Sequence, residues 1–278
     1  MTDVILRKEY AELKVAIISN DDSSVGKTTL AVLLGGIFSS IKRERVAIFC
    51  DKAAEDYPTM CEMLDKNKAA AYISVFRASL ENGKLKDEDL FPYGRLIKNT
   101  QAYVFDIIHP SLADVDIEAM FMSAIKLSNA PLTIVDTSGN FEDERTQEII
   151  DTCNAILYVV DCNPKSLKKA REFRENYPDD VVNRTLFVVS RFNNTSCSEK
   201  HAAGLIGVKQ KSIMTFPYSP AILKSVFEGN LQALVSPIIT GDPNVVACRA
   251  KAHDILAALF NEKDYKYIPD VKDWKVGG

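Results

Sequence analysis

KVAIISNDDSSVGKTTLAVLLGGIF, residues 14 to 38, runs from an apolar strand through a short polar loop into Gly26-Lys27-Thr28-Thr29 and an apolar helix. The first part has the β-branched content of a buried parallel strand, and a helix opens at Thr28. A strand, a tight loop and a helix start in that order predict a phosphate-binding loop, or P-loop. The reason is geometric. Backbone N–H groups of the loop and the first unbonded N–H groups of the helix converge on an anion, and the helix dipole adds partial positive charge. Gly26 lets the chain approach phosphates closely, Lys27 reaches the β and γ phosphates, and the Thr28 hydroxyl completes a Mg²⁺ shell. The expected ligand is a nucleoside triphosphate with magnesium.

The general pattern GxxxxGK[ST] asks for glycine where this chain has Asp21, and Asp21, Asp22, Ser23 and Ser24 replace the usual glycine-rich approach. A bare Gly-Lys-Thr is a weak signal. Its setting between a buried strand and a helix gives it meaning, against the plain alternative of an ordinary strand–loop–helix turn.

At 278 residues the chain can bury a full core, and strands alternate with helices throughout, so one α/β domain is expected over residues 1–278. A hydrophobic share of 46% and a charged share of 26% are ordinary for a globular chain. No apolar run reaches the length needed to cross a bilayer, and the opening MTDVILRKEYAELK is too charged for a signal peptide, which predicts a cytoplasmic protein. The six cysteines form no CxxC pair and read as small buried hydrophobes of a reducing compartment. The three histidines are scattered, which gives a histidine-based mechanism little support. A formal charge of −4 lacks the basic excess of a typical nucleic-acid binder.

Further strands are expected at Arg45 to Asp51, Ala102 to Ile108, Pro131 to Asn140, Ala155 to Asp161, Thr185 to Phe192 and Ser212 to Pro220. Between them, Ala53 to Thr100 reads as mostly helical, with breakers at Phe91-Pro92-Tyr93-Gly94, and helices are expected at about Asp116 to Ser128, Glu142 to Cys153 and after Pro164. Helices close the chain through about Asn261, with Val245 to Phe260 read as a last helix docked on the core. Runs apolar on both faces, joined by helical crossovers, imply a mostly parallel β-sheet flanked by helices on both sides, a three-layer α/β sandwich. The tail 264–278 has no helical stripe and is expected as a frayed or loosely attached end.

In such sheets ligands sit beyond the carboxyl ends of the strands. Asp136 ends LTIVD, where an acid can hold Mg²⁺. Asp51 ends the second strand and can orient an attacking water or touch the metal shell. Phe216-Pro217-Tyr218-Ser219-Pro220 ends the last strand with a rigid aromatic surface suited to a purine; core packing and a turn account for it equally well.

The placement of VGKTT, the acid after the second strand, VDTSGN, AILYVVDCNPKSL and FPYSPAILKSVFEGN together resembles the ParA/MinD family of deviant Walker A ATPases, over roughly residues 14 to 260. The family loop KGGVGKTT aligns with Asp22 to Thr29. The resemblance implies a phosphate cradle of Ser23, Ser24, Val25, Gly26, Lys27, Thr28 and Thr29, with Thr28, Asp51 and Asp136 around magnesium. It also implies Asp51 as the hydrolytic acid, Asp136 as the Walker B acid, and Phe216 with Pro217 as the adenine wall. The family's first loop lysine, which reaches a partner's nucleotide across a dimer interface, is Asp22 here, leaving Lys52 or Arg191 as candidate cations near the nucleotide. At the family's asparagine after the sixth strand stands Ser190. The function implied by the resemblance is that of a slow ATPase of plasmid or DNA partition, positioning or conjugative transfer. An ATP-dependent homodimer, nonspecific DNA and a DNA-binding adaptor protein are its implied partners, and a membrane is not.

Two other readings stay open. The acid in the loop also resembles dethiobiotin synthetase and related ATP-dependent carboxylate ligases, although VDTSGN lacks their glutamate and paired glycines. The third is a nucleotide-binding adaptor without hydrolysis.

Overall fold

The computed structural model describes residues 12–19, 25–51, 60–65, 90–106, 117–137, 144–193, 197–243 and 245–260. Asp21, Asp22, Ser23, Ser24, Lys52 and the tail 264–278 lie outside the described residues. Strand β1 (Leu13–Ile18) leads into helix α1 (Lys27–Lys42), then β2 (Val46–Asp51) and α2 (Met60–Leu64). A 3₁₀ turn at Phe91–Tyr93 precedes β3 (Arg95–Leu96) and β4 (Ala102–Asp106). There follow α3 (Ile117–Leu127), β5 (Leu132–Thr137), α4 (Glu144–Thr152), β6 (Ala155–Val160), α5 (Pro164–Asn176) and α6 (Asp179–Asn183). The chain ends in β7 (Thr185–Phe192), α7 (Glu199–Ile206), β8 (Ile213–Pro217), α8 (Pro220–Phe227), α9 (Gln232–Thr240) and α10 (Val246–Leu259).

The eight strands form one sheet in the order β3-β4-β2-β5-β1-β6-β7-β8, parallel except for the pairing of β3 with β4. Every residue of β2, β5 and β6 is buried, as a sheet covered on both faces requires. Alternate side chains feed two cores. Leu13, Val15, Ile17, Val46, Ile48, Leu132 and Ile134 pack under α1, α9 and α10, and Ala16, Ile18, Ala47, Phe49 and Val135 pack under α3, α4, α5 and α7. The second core is rich in rings, with Tyr158 against Phe173 at 4.8 Å and Phe49 against Phe105 at 4.9 Å.

The last helix docks on the core as expected, burying Cys248, Ala252, Ile255, Leu256 and Leu259 while Phe260 stacks on Phe38 at 5.0 Å. Cys50, Cys153, Cys197 and Cys248 are buried free thiols, and burial pushes the Cys153 thiol up to about 12. Among the described residues no helix is long and apolar enough to cross a membrane.

Of the region between β2 and β4 expected to be mostly helical, residues 52–59 and 66–89 lie outside the described residues, Met60–Leu64 is helical and the 3₁₀ turn falls on the expected breakers; only β3 is not expected. Its described part holds the short α2, the 3₁₀ turn and β3, which runs back antiparallel along β4. Phe91 drives the reversal: it is buried edge-on against Tyr103 at 5.1 Å, with the Arg45 guanidinium 4.6 Å above its ring, so the turn is pinned to the sheet. Helices α6 and α7 also occupy stretches where none was expected.

Candidate functional site

The carboxyl ends of β1, β2, β5 and β6 meet the start of α1. Gly26, the N-cap of α1, has φ 91° and ψ 19°, a left-handed conformation that side chains resist, and its carbonyl accepts from Leu30 N–H at 2.9 Å. The chain therefore turns sharply into the helix and leaves the first N–H groups of α1 facing beyond the strand ends. Lys27 and Thr29, both half-buried, occupy the first turn.

Two hydroxyls fix this corner. Thr137 donates to the carbonyl of Ile17 at 3.0 Å, holding the end of β1 to β5. Ser190, buried on β7, lies against the carbonyl of Val160 at 3.1 Å and in contact with that of Val25, so the residue before Gly26 is tethered to the tips of β6 and β7. Val25 itself is buried. Holding Val25 in this way fixes where the chain enters α1, which lowers the ordering cost of binding an anion at the first N–H groups of the helix.

The decisive contact lies beneath the helix start. Thr28 donates from its hydroxyl to Oδ2 of Asp136 at 2.5 Å, and both side chains are buried. Cys50 also points its thiol at Oδ2, 3.8 Å away. A hydroxyl and a carboxylate side by side are hard oxygen donors of the kind Mg²⁺ takes, so the residues present fit that ion.

Asp51 is placed differently. It is fully buried, and its Oδ1 pairs with Nη2 of Arg145 at 2.6 Å; the arginine side chain is 11% exposed. Backbone register sets Cys50 opposite Asp136 and Asp51 opposite Thr137. Successive side chains of a strand point to opposite faces, so Asp136 turns toward α1 and Asp51 toward α4, which carries Arg145. Helix α4 is secured at its far end, where Arg184 donates to the carbonyls of Ile150, at 2.6 Å, and Cys153.

The remaining expected residues lie along the same edge of the sheet. Arg191 is exposed, with φ 49° at an irregularity in the pairing of β7 with β8. Phe216 is buried in the core under α1 and α10, Pro217 is half-buried at the end of β8, and Tyr218 is 49% exposed. β8 is the neighbour of β7, whose Ser190 contacts the carbonyl of Val25, so this aromatic corner stands one strand away from where the chain entering α1 is tethered. The structure thus brings Val25, Gly26, Lys27, Thr28 and Asp136 together, sets Asp51 with Arg145 on the opposite face of the sheet, and places Arg191, Phe216 and Pro217 at the ends of β7 and β8, beside the strand that tethers Val25. Ser190 as a loop tether and Arg145 as the partner of Asp51 are not expected from the sequence.

No protein-family model and no curated protein matches this chain. Solved structures do. A ParA family ATPase from Chlorobium tepidum TLS superposes with a TM-score of 0.67 at 14% identity, covering 88% of this chain and 98% of that one. The MinD cell division protein of Aquifex aeolicus gives 0.63 at 15% identity over 88% of this chain and 97% of its own. The septum site-determining protein MinD of Pyrococcus horikoshii OT3, complexed with Mg-ADP, gives 0.61 at 13% identity over 90% and 99%. The fold is that of ParA/MinD-type P-loop ATPases, as the order of motifs implied.

Proposed function

We propose that this chain binds ATP with Mg²⁺ at the corner formed by Gly26, Lys27, Thr28 and Asp136, and hydrolyses it slowly. The observation that carries the reading is the Thr28 hydroxyl 2.5 Å from the Asp136 carboxylate, directly under a helix start capped by a left-handed glycine. The backbone N–H groups after Gly26 receive the phosphates, and Lys27 neutralises their charge. Thr28 and Asp136 would hold Mg²⁺, which when bound draws charge from the β and γ oxygens. Asp51 is the acid nearest in the sheet that can act on water, and Pro217 with Tyr218 offers a surface for the base.

The cellular role that best suits this reading is ATP-dependent partition or positioning, of a plasmid, other DNA or a transfer apparatus. An ATP-bound homodimer would engage nonspecific DNA and a DNA-binding adaptor protein. The MinC:MinD complex of Aquifex aeolicus, superposing at a TM-score of 0.64, is a neighbour of this fold that works with a protein partner. One observation favours a second reading, an adaptor that binds nucleotide without turnover: Asp51 is already engaged by Arg145.

Calorimetric titration with ATP, with and without Mg²⁺, followed by phosphate release with and without DNA, tests both. Magnesium-dependent binding with slow, DNA-stimulated turnover is the expected result. Binding without turnover selects the adaptor, and no heat beyond dilution for the folded protein defeats both readings.

A further inference from the structure

Two cysteines meet at the tips of β6 and β7, outside the cradle of Gly26, Lys27, Thr28 and Asp136. Cys162 lies just past Val160, the end of β6, and Cys197 just before Glu199, the start of α7. The two strands are parallel neighbours with Val160 level with Val189, so the chain leaves both at the same edge of the sheet. Beyond β7, the Cys197 N–H donates to the carbonyl of Asn193 at 3.2 Å, which keeps Cys197 close to the strand tip. There the Cys162 thiol hydrogen-bonds the Cys197 sulfur, while the Asn193 N–H donates to the sulfur of Cys162. The Cys197 thiol gives its own proton to the carbonyl of Ser198 at 3.5 Å, so its sulfur is the acceptor in the thiol pair.

Access divides the pair. Cys162 is half-buried and open to a small oxidant, whereas Cys197 is 6% exposed and stands behind it. Sulfurs already in contact need little side-chain rotation to reach the bonding distance of about 2.0 Å. The other buried thiols are poorer targets: Cys50 points at the Asp136 carboxylate, and Cys153, pushed up to about 12, carries almost no thiolate at neutral pH. Burial raises the Cys162 thiol above the ordinary range, an effect the Asn193 N–H opposes and the neighbouring Cys197 and Asp161 reinforce. Cys162 is therefore a slow nucleophile that answers to sustained oxidant.

We propose that Cys162 and Cys197 form a reversible redox pair: a peroxide oxidises Cys162, and Cys197 closes the disulfide that staples the tip of β6 to the start of α7. In the first step the Cys162 thiolate attacks one peroxide oxygen, the O–O bond breaks, and the other oxygen leaves as hydroxide, leaving a sulfenic acid. In the second, the Cys197 sulfur attacks the sulfur of Cys162; the S–S bond forms, the S–O bond breaks, and hydroxide departs with the Cys197 proton as water. Two thiols and one peroxide give one disulfide and two waters. In a reducing compartment the dithiol is the resting form and the disulfide a transient one. The inference does not rest on the nucleotide reading.

The test exposes the folded full-length chain to hydrogen peroxide at pH 8, blocks remaining thiols with iodoacetamide, and maps all six cysteines by peptide mass spectrometry without reduction. The expected product is a Cys162–Cys197 crosslink, lighter than the dithiol by two hydrogens, that dithiothreitol reverses and that melts cooperatively at or above the temperature of the reduced chain. In Cys197→Ser, Cys162 is expected to stop at the sulfenic acid, trapped by dimedone. In Cys162→Ser, Cys197 stays reduced. Wild-type Cys162 that is oxidised to sulfinic acid with Cys197 still free overturns the inference, as does a crosslink to any other cysteine or one that lowers the melt. Should Cys197→Ser fail to fold, Cys162→Ser decides: oxidation of Cys197 at the wild-type rate overturns the assigned order, and protection of Cys197 supports it.

Discussion

Two acids end neighbouring strands of the same sheet, both without solvent exposure, and they do different things. Asp136 on β5 accepts from a threonine hydroxyl at the start of α1, and Asp51 on β2 is paired with an arginine from α4. The difference comes from a single step in register: Asp136 lies opposite Cys50, one residue before Asp51, so the two carboxylates leave the sheet on opposite faces. One stands where a cation arriving with a ligand can meet it, and the other has its charge balanced by the protein itself. Position at a strand tip therefore gives a residue access to the edge of the sheet, and parity decides what it meets there.

Removing the internal cation tests this contrast most severely. Arg145→Ala removes the guanidinium from a fully buried carboxylate, whereas Asp51→Ala leaves a side chain, 11% exposed, that is long enough to turn toward solvent. The first substitution should cost about 3–5 kcal/mol in urea unfolding and the second clearly less; equal losses would mean the pair is not the source of the asymmetry. On the other face, Lys27→Ala should weaken ATP binding at least about a hundredfold, near 2.7 kcal/mol, while Asp51→Asn leaves calorimetric affinity almost unchanged. Comparable losses in the two variants would place Asp51 in the same nucleotide cradle as Lys27.

A finer probe is Asp136→Asn, which keeps the shape and removes the charge. Affinity for Mg-ATP should fall about tenfold, and affinity for ATP in the presence of a chelator should not, so the ratio of the two titrations reports the metal contribution. Smallest of all, Ser190→Ala should lower stability by about 1 kcal/mol, read as a small drop in the melting temperature. An unaltered melt would show that the tether between Val25 and β7 is incidental.

Much of the fold is legible because buried parallel strands write long apolar runs. VAIFCD, LTIVDT and AILYVV can be located from such runs to within one to three residues at each end, and the helix docked at Val246–Leu259 follows from its apolar stripe. Arg95–Leu96 cannot be read, since two residues carry no period and the pairing depends on Phe91 packing against a strand formed later in the chain. Helix α7 does carry local signals, easily missed in so short an element: Ser198 caps its start by accepting from His201 N–H, and Gly207, at φ 84°, ends it. At the site, Gly26, Lys27, Thr28 and Asp136 can be chosen because a local motif and a strand tip fix them. Arg145 cannot, because nothing near it in sequence announces a partner on another strand. Ser190 stands out in the sequence only as a substituted asparagine, whereas its hydroxyl braces the loop.

The rims of the sheet carry one more consequence. At one border is the two-residue β3, and at the other β8 ends in Pro217, which has no N–H to offer a ladder. A ninth strand from another molecule finds little to zip onto at either border, which guards crowded copies against fibril-like stacking.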